Sequence, residues 1–134
     1  MIVVDTHVIA YLYLPTEFTE QAEQLLGRES VWTAPLLWRS EFRNVLALYL
    51  RRQLIGFEKA LQLQMEAETL MSENEYEIGS FNVMKLVRES CCSAYDCEFV
   101  ALATNLRTTF VTMDQSILRE FPNTAVSLTS FLTL

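Results

Sequence analysis

Apolar residues recur in this chain with two rhythms. Short β-branched or aromatic runs read as buried strands at Met1 to Val4, Ser30 to Ala34, Thr108 to Met113 and Ala125 to Leu128. Between them the spacing is helical. His7 to Leu14 predicts a short helix ended before Pro15, and Phe18, Ala22, Leu25 and Leu26 predict a second, stopped at Gly27. Trp38, Phe42, Val45, Leu46 and Tyr49 make one continuous stripe on a helix running to Arg52. Past Gly56 the pattern resumes from Phe57 to Met71 with a polar, acidic outer face. Two long helices so briefly connected predict an antiparallel hairpin. Ser80 is placed to cap the next helix, turning Val83, Leu86, Val87 and Cys91 inward. A further helix opens at or near Asp96, with Phe99, Val100, Ala103 and Leu106 on one face.

Short apolar strands alternating with helices predict an α/β domain with a mostly parallel central sheet. No repeat, linker or low-complexity tract divides the chain, so residues 1–134 read as one domain. A chain of this size buries roughly two-thirds of its unfolded surface. With 51% hydrophobic residues and only three glycines and three prolines, disordered and fibrous classes are excluded. The longest unbroken apolar runs, Val8 to Leu14 and Val45 to Leu50, fall far short of the roughly 18 to 20 residues that span a bilayer. The first residues carry no basic segment, so a secretory signal is not expected and a cytoplasmic location is. Cys91, Cys92 and Cys97 are odd in number and include a vicinal pair, which reads as reduced thiols rather than a disulfide or zinc framework.

The formal charge of -7 argues against a protein that grips nucleic acid by bulk charge. It leaves room for a nuclease that recruits metal cations to an acidic site, and for a basic protein partner. The acidic residues are unevenly divided, with fourteen glutamates and three aspartates. Asp5 ends the first strand, Asp114 ends a later one, and Asp96 stands at a helix start. Each alone has an ordinary explanation as a turn former or an N-cap. Together they sit on the rim where ligands of a parallel sheet bind, outside the carboxyl ends of the strands. Aspartate's short side chain suits a hard divalent cation.

Glu41 is a fourth candidate. Helical spacing puts it between Trp38 and Val45 on the inner face, where a lone carboxylate is costly without a cation or hydrogen-bond donors. Glu66, Glu68, Glu73, Glu75 and Glu77 read instead as solvating charges, and Glu98 points away from Asp96. Arg39 and Arg43 share an exposed helical face, and Arg51 and Arg52 are accounted for by the dipole of the helix they end. One or two Mg²⁺ or Mn²⁺ ions held by Asp5, Glu41, Asp96 and Asp114 would satisfy all four carboxylates and activate water against a phosphodiester.

The segments Val3-Val4-Asp5-Thr6, Trp38-Arg39-Ser40-Glu41, Ser93 to Ala103 and Phe110-Val111-Thr112-Met113-Asp114 resemble the motifs of PIN-domain proteins. They are most similar to the VapC-type toxins of toxin–antitoxin pairs, over nearly the whole chain and in order. The resemblance implies a metal-dependent endoribonuclease. Asp5, Glu41, Asp96 and Asp114 would be its catalytic metal-binding positions, with Thr6 and Thr112 as supporting hydroxyls. His7 stands where the family often has Asn or Ser; a general-base role and a simple contact with the following helix both remain open. The implied partners are RNA, an antitoxin presenting a basic peptide, and a second copy of the chain meeting it through helical surface.

A receiver-type phosphoacceptor domain would need an adjacent acidic pair after the first strand and a lysine after a late one. Asp5 is followed by Thr6, and the two lysines, Lys59 and Lys85, lie in helical segments. A catalytically inactive PIN-like interaction module is the remaining alternative, and the four carboxylates argue against it.

Overall fold

The computed structural model describes all of residues 1–134. Five short strands form one sheet: β1 (Ile2–Val4), β2 (Trp32–Pro35), β3 (Glu75–Tyr76), β4 (Phe110–Val111) and β5 (Ala125–Val126). Their spatial order is β3-β2-β1-β4-β5, and every pair is parallel. Three registers fix the centre: Ile2 opposite Trp32, Val3 opposite Phe110 and Val4 opposite Val111. The first strand is thus the middle one. Buried on both faces, it is apolar throughout, as a central parallel strand must be.

Eight helices surround the sheet: α1 (Thr6–Tyr13), α2 (Thr19–Arg28), α3 (Leu37–Arg51), α4 (Phe57–Met71), α5 (Ser80–Arg88), α6 (Ala94–Leu106), α7 (Gln115–Glu120) and α8 (Leu128–Leu132). The core joins the strands to Trp38, Phe42 and Leu46 of α3 and to Phe99, Val100 and Ala103 of α6, with Phe99 and Phe110 stacked at 5.6 Å. The α3–α4 hairpin is antiparallel as expected: Arg39 near the start of α3 meets Glu68 near the end of α4. No helix is long and apolar enough to cross a membrane.

Several expectations need correction. Gly27 does not stop α2, which runs on to Arg28 and leaves through extended backbone at Glu29, so no left-handed residue is needed. Pro35 lies inside β2 rather than after it. The last β1 pair is Val3 with Thr33, so proline's missing N–H falls where that ladder has already ended. Ser80 is the first residue of α5 rather than its cap, a position held by Gly79 without a side-chain bond. Because α5 ends at Arg88, Cys91 lies beyond it and is exposed, while Cys92 and Cys97 are buried. β3, α7 and α8 had no counterpart in the sequence pattern.

Candidate active site

The chain leaves β1 for β2 on one side and returns through β4 on the other, so the topological switch lies at the β1–β4 pair. Crevices open at the carboxyl ends of strands at such points. Asp5 follows β1 there, and Asp114 follows β4 after Thr112 and Met113.

Asp5, Glu41, Asp96 and Asp114 line one cavity of about 600 Å³. Glu41 arrives from the second turn of α3 and Asp96 from the first turn of α6. The α6 helix starts two residues earlier than expected: Ser93 is its N-cap and accepts the Asp96 N–H at 3.1 Å. Asp96 is therefore free of capping duty. Asp114 does cap, accepting the Ile117 N–H at 3.0 Å on Oδ1, so the ordinary reading and cavity lining both hold for it.

Both threonines singled out from the sequence meet a carboxylate. Thr6 donates to Glu41 Oε1 at 2.7 Å, and Thr112 donates to Asp5 Oδ2 at 2.6 Å. The Asp114 N–H in turn donates to Thr112 Oγ1 at 3.1 Å, so one hydroxyl links two of the carboxylate-bearing residues. Each threonine is buried and fixes a carboxylate rotamer without supplying charge.

Burial raises the Asp5 carboxyl above its ordinary range, and the Thr112 bond and the nearby His7 pull it partly back. Burial also raises Glu41, opposed by the Thr6 bond and reinforced by the charges of Asp5 and Asp96. Asp96 is raised by burial and then by Asp114 and Asp5. These side chains feel one another as like charges. None of the residues lining the cavity is a lysine or arginine, so the chain supplies no strong cation to neutralise them.

The donor set is hard oxygen, which suits Mg²⁺ or Mn²⁺. No three of the carboxylate, imidazole or thiol groups are gathered tightly enough to enclose one ion. The carboxylates are donors spread on the walls of an open cavity, an arrangement suited to an ion that keeps several of its own waters and needs few protein ligands. On these grounds the residues fit a divalent cation.

Four further residues on the wall were not given a role from sequence: Leu37, Ser40 and Asn44 on α3, and Tyr95 beside Asp96. For two of them the signal was available in helical spacing, since Leu37 and Asn44 lie four before and three after Glu41. His7 also lines the cavity, and Glu98 does not.

Arg39 proves to be more than a solvating charge. It reaches Glu75 through Nε at 2.6 Å and through a terminal nitrogen at 2.7 Å, and Glu68 at 3.1 Å. Trp38 Nε1 donates to the same Glu75 at 2.8 Å. Glu68 and Glu75, expected as surface charges, thereby tie the first turn of α3 to α4 and to the edge strand.

Comparisons with known proteins agree with this architecture. The sequence profile of the PIN domain matches residues 2–122. Ribonuclease VapC3 of Pyrobaculum aerophilum is 29% identical, the match covering 90% of this chain and 95% of that protein. Among solved structures, PAE2754 from Pyrobaculum aerophilum superimposes with a TM-score of 0.77 at 16% identity, covering 98% of this chain and 92% of that one. A toxin–antitoxin complex from Klebsiella pneumoniae gives a TM-score of 0.72 at 16% identity, with 96% and 98% covered.

Proposed function

The chain belongs to the PIN-domain family, and on that premise we propose that it is a Mg²⁺- or Mn²⁺-dependent endoribonuclease of the VapC type, the toxin of a toxin–antitoxin pair. The observation that carries the reading is the set of four carboxylates around one cavity with no lysine or arginine on its wall. Such a cavity repels a phosphodiester unless a cation enters with it. The similarity to a protein named as a ribonuclease supplies the reaction.

Asp5, Glu41, Asp96 and Asp114 would hold one or two ions. A bound divalent cation supplies Lewis acidity and lowers the pKa of a coordinated water. Thr6 and Thr112 keep Glu41 and Asp5 aimed into the cavity, and the cap to Ile117 holds Asp114. Asp96 is oriented by the Ser93-capped start of α6. His7, on the same wall, is available to donate to substrate oxygen.

The partner reading follows from the same charge and from the likeness to a toxin–antitoxin complex. An antitoxin segment presenting arginine to this cavity would meet the carboxylates and compete with metal. The chain is also read as a homodimer using helical surface. Phe57, Leu61 and Met65 form an exposed apolar stripe on α4 at 70%, 49% and 60% exposure, where the sequence pattern predicted a polar face.

The test is cleavage of total cellular RNA by purified protein in Mg²⁺ or Mn²⁺, with EDTA and Asp5→Asn as controls. Metal-dependent cleavage lost in the variant is expected. Cleavage unaffected by EDTA would overturn the metal reading, and no cleavage under any metal would favour an inactive interaction module.

A further inference from the structure

We propose that the groove between α1 and α3 seats the RNA strand leading away from the acidic cavity, with Arg51 holding a backbone phosphate at its far end. The inference rests on the ribonuclease reading above and deepens it.

A second cavity, of about 420 Å³, adjoins the first and shares His7, Asn44 and Val45 with it. The two therefore form one trough. A scissile phosphate lies inside a strand, so nucleotides beside it must rest on protein next to the catalytic cavity. The other depression that borders Asp5 and Asp114 holds about 230 Å³, little more than half as much.

The walls of the trough match a single strand in kind. Tyr11 and Tyr49 offer half-buried aromatic rings, and the exposed Leu48 offers apolar surface for a base face. Arg51 is the one lysine or arginine on the wall of either cavity. It is exposed and takes part in none of the chain's ion pairs. The dipole of α3 accounts for a cation at this end of the helix but not for one bordering the trough. Ten residues of α3 separate Glu41 from Arg51, about 15 Å along the axis. That distance corresponds to a few nucleotides of extended strand.

Phosphate contacts add affinity without reading sequence, so the trough should act through substrate length. The experiment compares KM for cleavage of a dinucleotide and a hexanucleotide in Mn²⁺, for wild type, Arg51→Ala and Arg51→Lys. Wild type should bind the longer substrate more tightly, Arg51→Ala should lose most of that gain, and Arg51→Lys should recover part of it. The dependence of log KM on log salt should weaken in Arg51→Ala by about 0.7, the loss of one phosphate contact. A gain with length that survives Arg51→Ala overturns the proposal and leaves the trough to a protein partner; so does the absence of any gain in wild type. If wild type cleaves neither substrate in any metal, the ribonuclease reading is what fails. Fluorescence anisotropy of a labelled hexauridylate in Ca²⁺ then decides the groove by itself. Arg51→Ala should weaken that binding roughly tenfold, and equal binding overturns the proposal.

Discussion

Thr112 and Asp5, 107 residues apart in the chain, are joined by a 2.6 Å hydrogen bond from the threonine hydroxyl to the carboxylate. It bridges the two strands at the topological switch and opposes the burial that raises the Asp5 carboxyl. Thr112→Val keeps the shape and removes the donor. The Asp5 carboxyl should rise further, so the acidic limb of the pH–rate profile should move to higher pH. Loss of a hydrogen bond to a charged acceptor should also cost roughly 1.5–3 kcal/mol at neutral pH, read by urea unfolding. An unmoved acidic limb would show that Asp5 does not govern the rate.

Stability without metal should depend on pH in a set direction. Asp5, Glu41 and Asp96 have folded pKa values raised above their ordinary ones. The folded state therefore binds their protons more tightly, and stability is gained as pH falls through those values toward the unfolded ones, about 4. Glu75 works oppositely, because Arg39 lowers it; its contribution is present above about 4.3 and lost below. In EDTA the melting temperature should thus rise from pH 7.5 to a maximum in mild acid. A monotonic fall with acidity would contradict it.

Asp96→Asn should raise the melting temperature in EDTA at neutral pH while abolishing cleavage, since a repelled, partly desolvated charge is removed. Mn²⁺ should stabilise wild type more than this variant. Asp114 allows a cleaner separation of roles, because asparagine caps as well as aspartate. Asp114→Asn should lose cleavage and keep the α7 cap, whereas Asp114→Ala should cost about 1 kcal/mol more. If both variants respond to Mn²⁺ as wild type does, Asp114 serves the turn alone.

Much of this centre was readable because three aspartates stood at strand ends or a helix start in a chain whose other acids are glutamates. Periodicity found β1, β2, β4 and β5 and the α3–α4 hairpin. It missed β3, since Glu75 and Tyr76 sit in a polar stretch with no apolar run to mark them and are held by backbone bonds, Ala34 N–H to Asn74 at 3.2 Å and Leu36 N–H to Tyr76 at 3.0 Å. It missed the Arg39–Glu68–Glu75 network for a related reason. Three charges far apart in sequence look like solvated surface until the hairpin closes. Cys91 was placed inward because a helical pattern was carried past the end of α5.

That network makes its own prediction. Glu75→Gln keeps one acceptor oxygen, so it should lose at least one of the two contacts to Arg39 and the charge that strengthens the remaining ones, at a cost of about 1–2 kcal/mol after allowing for the partial exposure of Arg39. The variant should lose stability most steeply above pH 5, where wild-type Glu75 is charged. A Tm matching wild type would show the pair to be surface-like.

Gly27 offers a gain. It lies in α2 with no positive φ, and a Cβ there would meet nothing within 4 Å. Gly27→Ala should therefore stabilise by roughly 0.5–1 kcal/mol, seen as a higher urea midpoint with an unchanged slope. A lower midpoint would mean that this glycine serves a partner.

The exposed α4 stripe predicts association. Wild type at tens of micromolar should sediment as a dimer, and Leu61→Glu should shift it toward monomer. A wild-type monomer would refute the dimer.

The central place of β1 has a consequence in time. A ribosome makes β1 early, yet its neighbour β4 follows more than a hundred residues later. Until then Asp5 has no Thr112 beside it, and Asp114 has not been made. A nascent chain interrupted anywhere before β4 carries no completed centre. Slow, long-range closure of this kind ties the birth of the acidic cavity to the synthesis of β4 and Asp114, so a cell making the protein meets it only after both ends of that long loop exist.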